Sequence, residues 1–258
     1  MKVVILAGGM GSRLCEETVI KPKPMVLIGN KPILWHIMKI YSAYGFNEFV
    51  ICLGYKGYMI KEYFSHYHLH HADVTIDFKT NEIHYHRIHA EPWKVTLVDT
   101  GHDSMTGGRI RRVKEYVDNE TFMMTYGDGL GDVNIRELVA FHKQHGRTAT
   151  VTSVRPPGRF GTLELDPDDP AVVRHFREKP SGEGDWINAG FFVLEPDVFD
   201  YLHCDADIFE QRPLQEMASG NRISAFQHHG FWRPMDTLRD KNSLESLWET
   251  GKAPWKIW

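Results

Sequence analysis

The opening KVVILAGGMGSRL, residues 2–14, constrains the fold more than any other stretch of this sequence. Val3–Leu6 is a short continuous apolar run, the pattern of a parallel strand covered on both faces. Glycines then stand at positions 8, 9 and 11, and Ser12-Arg13-Leu14 begins a helical segment. A strand that turns through glycines into a helix is the first half of an α/β unit. The next segments keep the alternation. Ile33, Ile37, Tyr41 and Tyr44 form a helical stripe after Pro32, widened by Leu34 and Met38, with Gly45 as its stop. Phe49–Leu53 reads as a second buried strand and Lys56–Phe64 as a second helix. The chain therefore starts as a doubly wound α/β protein.

Further along, Val74–Phe78, Ile83–His89 and Val95–Val98 are strand-like, Gly107–Val117 is helical, and Phe122–Thr125 is another buried strand. Asn134 is the expected cap of a helix with the stripe Ile135, Leu138, Val139 and His142, and Glu137 is expected to complete a capping box. Thr148–Val154 is a strand. After Pro156-Pro157 strands dominate: Thr162–Leu165, Val172–Phe176, Ile187–Leu194 and Arg222–Gln227. Short helices near Asp197–Leu202 and Phe209–Ala218 interrupt them. Thr237–Trp248 closes the chain as a helix, with Thr237 and Asp240 as a second capping box, before a tail carrying Trp255 and Trp258. With 258 residues and no separating linker, one domain is expected: a three-layer α/β/α core with a mixed sheet and a β-rich second half.

Charge narrows the functional classes. Lys plus Arg total 30 against 34 Asp plus Glu, a net −4, which argues against a nucleic-acid binder. The 15 histidines make the balance sensitive to pH near 6.5. An anionic ligand must then be held by a few local cations. Cys15, Cys52 and Cys204 offer neither a disulfide framework nor a zinc knuckle. A reducing cytoplasm is expected, with no membrane span and no signal-peptide core.

Three places carry candidate chemistry. Gly8-Gly9-Met10-Gly11-Ser12-Arg13 has the context of a phosphate loop, because glycines let the backbone and its free N–H groups approach an anion. It matches neither the Walker pattern nor the dinucleotide fingerprint. Arg13 stands beside it as a bidentate clamp, and Lys23 lies in the stiff segment Lys21-Pro22-Lys23-Pro24. Asp128, between Gly127 and Gly129, follows a buried strand, where α/β sheets bind ligands, and suits a Mg²⁺ ion on a phosphate. Asp132 competes for that role. Asp236 precedes the last helix, where an aspartate is ordinarily a cap. Histidines at 66, 68, 70, 71, 84, 86 and 89 are either surface residues or a transition-metal site.

Gly8–Arg13, Pro22-Lys23-Pro24, Gly127-Asp128-Gly129, Glu178-Lys179-Pro180 and Asn188-Ala189-Gly190 occur in the order seen in sugar-1-phosphate nucleotidyltransferases. KPILWHIMKIYSAYG, LGYKGYMIKEYF, EPWKVTLVDTG, SMTGGRI, PPGRFG, GFWRPMDTLRDK and GKAPWK resemble the glucose-1-phosphate cytidylyltransferase subfamily, so the resemblance spans nearly the whole chain. It implies a Rossmann-like, GT-A-like nucleotidyltransferase core. A nucleotide half would span about residues 1–130 and a sugar half about 131–240, with the closing helix and tail over 237–258. It also implies CTP plus α-D-glucose 1-phosphate giving CDP-glucose and pyrophosphate, with Mg²⁺, in an assembly of several copies. Carried over by position, Leu6, Ala7, Gly8, Gly9, Met10, Gly11, Ser12, Arg13 and Lys23 would hold the triphosphate. Asp128 and Asp236 would be the metal carboxylates. Lys179 would hold the sugar phosphate, Glu178 and Asn188 the sugar hydroxyls, and Gly161 would allow the sugar close. Relatives that use UTP or dTTP carry a Gln-x-x-Pro-x-Gly element where this chain has residues 99–109. Thr100, Gly101, Ser104 and Arg109 are the candidate base and ribose contacts there. The rival readings are another base or hexose phosphate, and a noncatalytic sugar-nucleotide sensor.

Overall fold

A computed structural model describes the chain except for residues 156–161, 168–170, 172 and 178–184. Among the described residues, seven strands make the main sheet: β1 (Val3–Leu6), β2 (Glu48–Leu53), β3 (Lys94–Asp99), β4 (Phe122–Tyr126), β5 (Ala149–Val154), β6 (Ile187–Leu194) and β7 (Ile223–His228). They lie in the order β7-β5-β6-β4-β1-β2-β3. β1 is parallel to β2 and β4, β2 to β3, and β5 to β7, while β6 runs antiparallel between β4 and β5.

The apolar run at the start of the chain follows from this placement. Successive side chains of a strand face opposite sides. Val3 and Ile5 enter a core shared with helices Ile33–Ala43, Ile135–His145 and Leu238–Glu249. Val4 and Leu6 enter a second core with helices Thr106–Arg112 and Arg212–Ser219. Helices on both faces of a mixed sheet give the expected three layers. In the β-rich second half, β5, β6 and β7 extend the same sheet, so both halves of the chain share it. The pair Thr162–Leu165 and Val173–Arg177 stands apart from it.

Caps refine the helix ends. Asn134 accepts the Glu137 N–H at 3.2 Å, but Glu137 takes the Asn134 side-chain amide at 2.8 Å instead of the backbone, so that box is half formed. Thr237 and Asp240 form a complete box. The tail folds onto its own chain. Trp255 is fully buried, with ring centroids 5.6 Å from Phe231 and 6.4 Å from Trp248. Among the described residues no helix is long and apolar enough to cross a membrane, and no group of three or more His, Cys, Asp or Glu is placed to hold a metal.

Candidate active site

The carboxyl ends of β1 and β4 open into a cavity of about 580 Å³. Gly8, Gly9, Gly11 and Ser12 make one wall, Lys23, Asp128 and Asp236 the charged floor, and Asn188 and Trp232 the far side. The glycine loop leads into one 3₁₀ turn, Ser12–Leu14, and the short helix Cys15–Thr18. Its attraction for an anion therefore rests on individual N–H groups more than on a helix dipole. Among the described residues, the N–H groups of Gly9, Met10 and Gly11 have no partner. Met10 is half exposed beside the cavity, and Arg13 lies in the turn that follows.

Lys23 Nζ lies 2.6 Å from Asp128 Oδ2 and 2.9 Å from Asp236 Oδ1. These carboxylates are remote in sequence but adjacent in space. The reason is a short antiparallel pair: Gly129–Gly131 pairs with Trp232–Pro234, and Met235 N donates to the Asp128 carbonyl at 2.8 Å. Asp236 is not the helix cap that its position suggests, because Thr237 takes that role. Asp132 lies 2.9 Å from His228 and does not line the cavity. Burial works to lower the Lys23 pKa, but the carboxylates of Asp128 and Asp236 outweigh it and hold the ammonium above its ordinary value. Two carboxylates sharing one cation form a hard oxygen donor set. Mg²⁺ fits such a set, taking one or two carboxylates and completing its shell with substrate oxygens.

The segment suspected of reading the base is held by its own buried side chains. Arg109 is buried, and its Nη atoms donate to the carbonyls of Leu53, Gly101, Gly8 and His102 and to Thr100 Oγ1, at 2.8–3.2 Å. Thr100 is also buried and donates to the Leu53 carbonyl at 2.7 Å. These two side chains brace the loop from beneath. Of the expected base and ribose contacts, Ser104 and Arg109 line the cavity, while Thr100 and Gly101 stand behind it. The bracing also explains Gly8: a Cβ there would sit 2.2 Å from Arg109 Nη1. Gly161, Glu178 and Lys179 lie outside the described residues.

Residues 2–233 match the family model described as nucleotidyl transferase. The chain belongs to the nucleotidyl transferase family. Among relatives, it is 59% identical to the glucose-1-phosphate cytidylyltransferase of Salmonella typhi over 259 aligned positions, covering 100% of both proteins. A solved UDP-glucose pyrophosphorylase with bound UDP-glucose shares the fold. Its TM-score is 0.69 at 17% identity, over 97% of this chain and 98% of that one. HddC of Yersinia pseudotuberculosis gives a TM-score of 0.68 at 24% identity, over 96% and 99%.

This nucleotidyl transferase also brings residues to the cavity that the sequence did not single out, among them Met105, Thr106, Tyr126, Glu210 and Trp232. Tyr126 carried a signal, since it ends the strand that delivers Asp128. Met105 and Thr106 fall inside the loop already suspected. Trp232 stands in the quoted stretch GFWRPMDTLRDK, whereas Glu210 carried no signal, because only the fold brings its segment to the carboxyl ends of β1 and β4.

Proposed function

We infer that this nucleotidyl transferase moves the cytidylyl group of CTP to α-D-glucose 1-phosphate, giving CDP-glucose and pyrophosphate. The observation that carries the reading is the Lys23 ammonium between Asp128 and Asp236, beside unpartnered N–H groups of a glycine loop. That is a floor for a polyphosphate and its cation. The full-length identity to a glucose-1-phosphate cytidylyltransferase supports the choice of base and sugar.

The nucleophile belongs to the substrate. A phosphate monoester has a second pKa near 6 and is largely dianionic at pH 7. One of its oxygens attacks the α-phosphorus, the bond to the bridging oxygen breaks, and pyrophosphate leaves with the electron pair. No protein base is required. The protein aligns two polyanions and offsets the charge on the leaving group. Asp128 and Asp236 would hold Mg²⁺, which when bound neutralises phosphate oxygens as a Lewis acid. Lys23 and Arg13 would neutralise the triphosphate, and Lys179 would hold the sugar phosphate. Glu178 and Asn188 take sugar hydroxyls, with Gly161 admitting the ring. Ser104 and the backbone of the braced loop read cytosine, whose amino donor and bare N3 leave a buried group unpaired when another base enters.

Asp128→Asn and Asp236→Asn are each expected to lower kcat/KM at least ~100-fold. They are also expected to raise the Mg²⁺ concentration giving half-maximal pyrophosphate release. A folded variant with wild-type turnover and metal dependence would remove that residue from the site.

A further inference from the structure

Four polar side chains of the cavity form one hydrogen-bonded line. Thr106 Oγ1 donates to Glu210 Oε2 at 2.6 Å, and the Tyr126 hydroxyl donates to Glu210 Oε1. Asn188 Nδ2 donates to the Tyr126 oxygen at 3.2 Å, and Asn188 Oδ1 accepts the Gly190 N–H at 2.7 Å. All four side chains line the cavity, and no role in the transfer described above uses Glu210 or Tyr126.

The line has only one self-consistent direction. A carboxylate accepts and does not donate, so both hydroxyl protons point to Glu210. Thr106 agrees, because its oxygen already accepts the Phe209 N–H at 2.8 Å. With its proton committed to Glu210, the Tyr126 oxygen is left as an acceptor, and Asn188 must present its NH₂ to it. The other end of the amide makes the same demand, because Gly190 N–H needs an oxygen. Turning the amide over would set a donor against Gly190 and leave Tyr126 no partner on that side. Gly190 makes the arrangement possible. Its φ is +81°, and a Cβ there would sit 2.4 Å from Tyr126 Cδ2. Among the described residues, one N–H of the Asn188 amide is left uncommitted, in a cavity that Asn188 lines.

We propose that Glu210 is a positioning residue for the sugar substrate: through Tyr126 it fixes Asn188 as a hydrogen-bond donor toward a hydroxyl oxygen of the hexose phosphate. The proposal rests on the reading of the far end of the cavity as the sugar site.

The test is the Michaelis constant of each substrate, measured in the intact enzyme. Glu210→Gln turns one of the two accepting oxygens into a donor, so the line loses its single direction, and Tyr126→Phe, which keeps the ring, serves if Glu210→Gln does not fold. Each is expected to raise KM for glucose 1-phosphate about tenfold, the scale of one net hydrogen bond, while KM for CTP stays within about twofold. Glu210→Gln combined with Asn188→Ala is expected to be no worse than Asn188→Ala alone, because the two act through one group. Additive losses, or a rise confined to KM for CTP, would overturn the proposal. If Asn188→Ala raises the sugar-phosphate KM and the Glu210 and Tyr126 variants do not, the positioning role alone fails. If Asn188→Ala also leaves it unchanged, the sugar reading of that end fails with it.

Discussion

Lys23 makes the most informative contacts of any single residue in the site. Its ammonium is buried and matched by two carboxylates, and breaking such a group by removing one partner leaves uncompensated charge. Lys23→Ala is expected to lower kcat/KM at least ~100-fold. It should also lower the thermal midpoint without metal, by removing the cation that Asp128 and Asp236 share. Added Mg²⁺ would take the ammonium's place, so the metal-induced rise in Tm should be larger for Lys23→Ala than for wild type. Equal rises would contradict the shared-cation account. Lys23 and Asp128 were legible in the sequence because prolines and glycines frame them. Asp236 was ambiguous from its surroundings, since an aspartate before a helix is ordinarily a cap, yet Thr237 and Asp240 already read as a capping box without it. That box frees it. Arg109 and Thr100 resisted reading for a similar reason. Their acceptor at Leu53 belongs to a different strand.

At the scale of elements, helix Ile33–Ala43 and the C-terminal tail meet at His36. His36 is fully buried, with Nε2 2.8 Å from the Ile28 carbonyl and Nδ1 3.4 Å from Trp255 Nε1. The neutral ring satisfies both, donating from Nε2 and accepting at Nδ1. Burial lowers its pKa from 6.5 to about 4, against a smaller opposing effect of the Ile28 carbonyl. Between those values the unfolded chain binds more protons than the folded one, so stability rises with pH. The stabilisation is complete above about 6.5 and is lost as pH falls toward 4. At pH 5 this residue alone should cost about 2 kcal/mol relative to pH 7. Denaturant unfolding at the two pH values should show the loss in wild type and a smaller one in His36→Gln. An unchanged pH dependence in His36→Gln would refute the assignment. The strand–helix alternation of the first half was legible, because periodicity is a local property. The joining of β5, β6 and β7 to the same sheet was not. No local pattern states that β6 enters antiparallel between β4 and β5.

For the whole molecule, a net charge of −4 is compatible with a polyanionic substrate because the field is set locally. Lys23 is already balanced by two carboxylates, so it is not surplus positive charge until a metal or phosphate rearranges the group. Arg109 differs: among the described residues it hydrogen-bonds only neutral oxygens, which places a buried positive charge in the cavity wall. Burial lowers its pKa somewhat, yet an arginine remains charged at any working pH. Charge count excluded a nucleic-acid binder but was silent on a nucleotide enzyme, since such a site needs few cations in fixed places. The central claim is cytidylyl transfer to glucose 1-phosphate. Its most direct test is pyrophosphate release from CTP, UTP, dTTP and GTP, each with Mg²⁺ and with or without glucose 1-phosphate. CTP should exceed the other nucleotides by about 100-fold in kcat/KM, the scale set by leaving a buried hydrogen-bonding group unpaired, and only when glucose 1-phosphate and Mg²⁺ are both present. Preference for UTP or dTTP, or release without the sugar phosphate, would contradict the account.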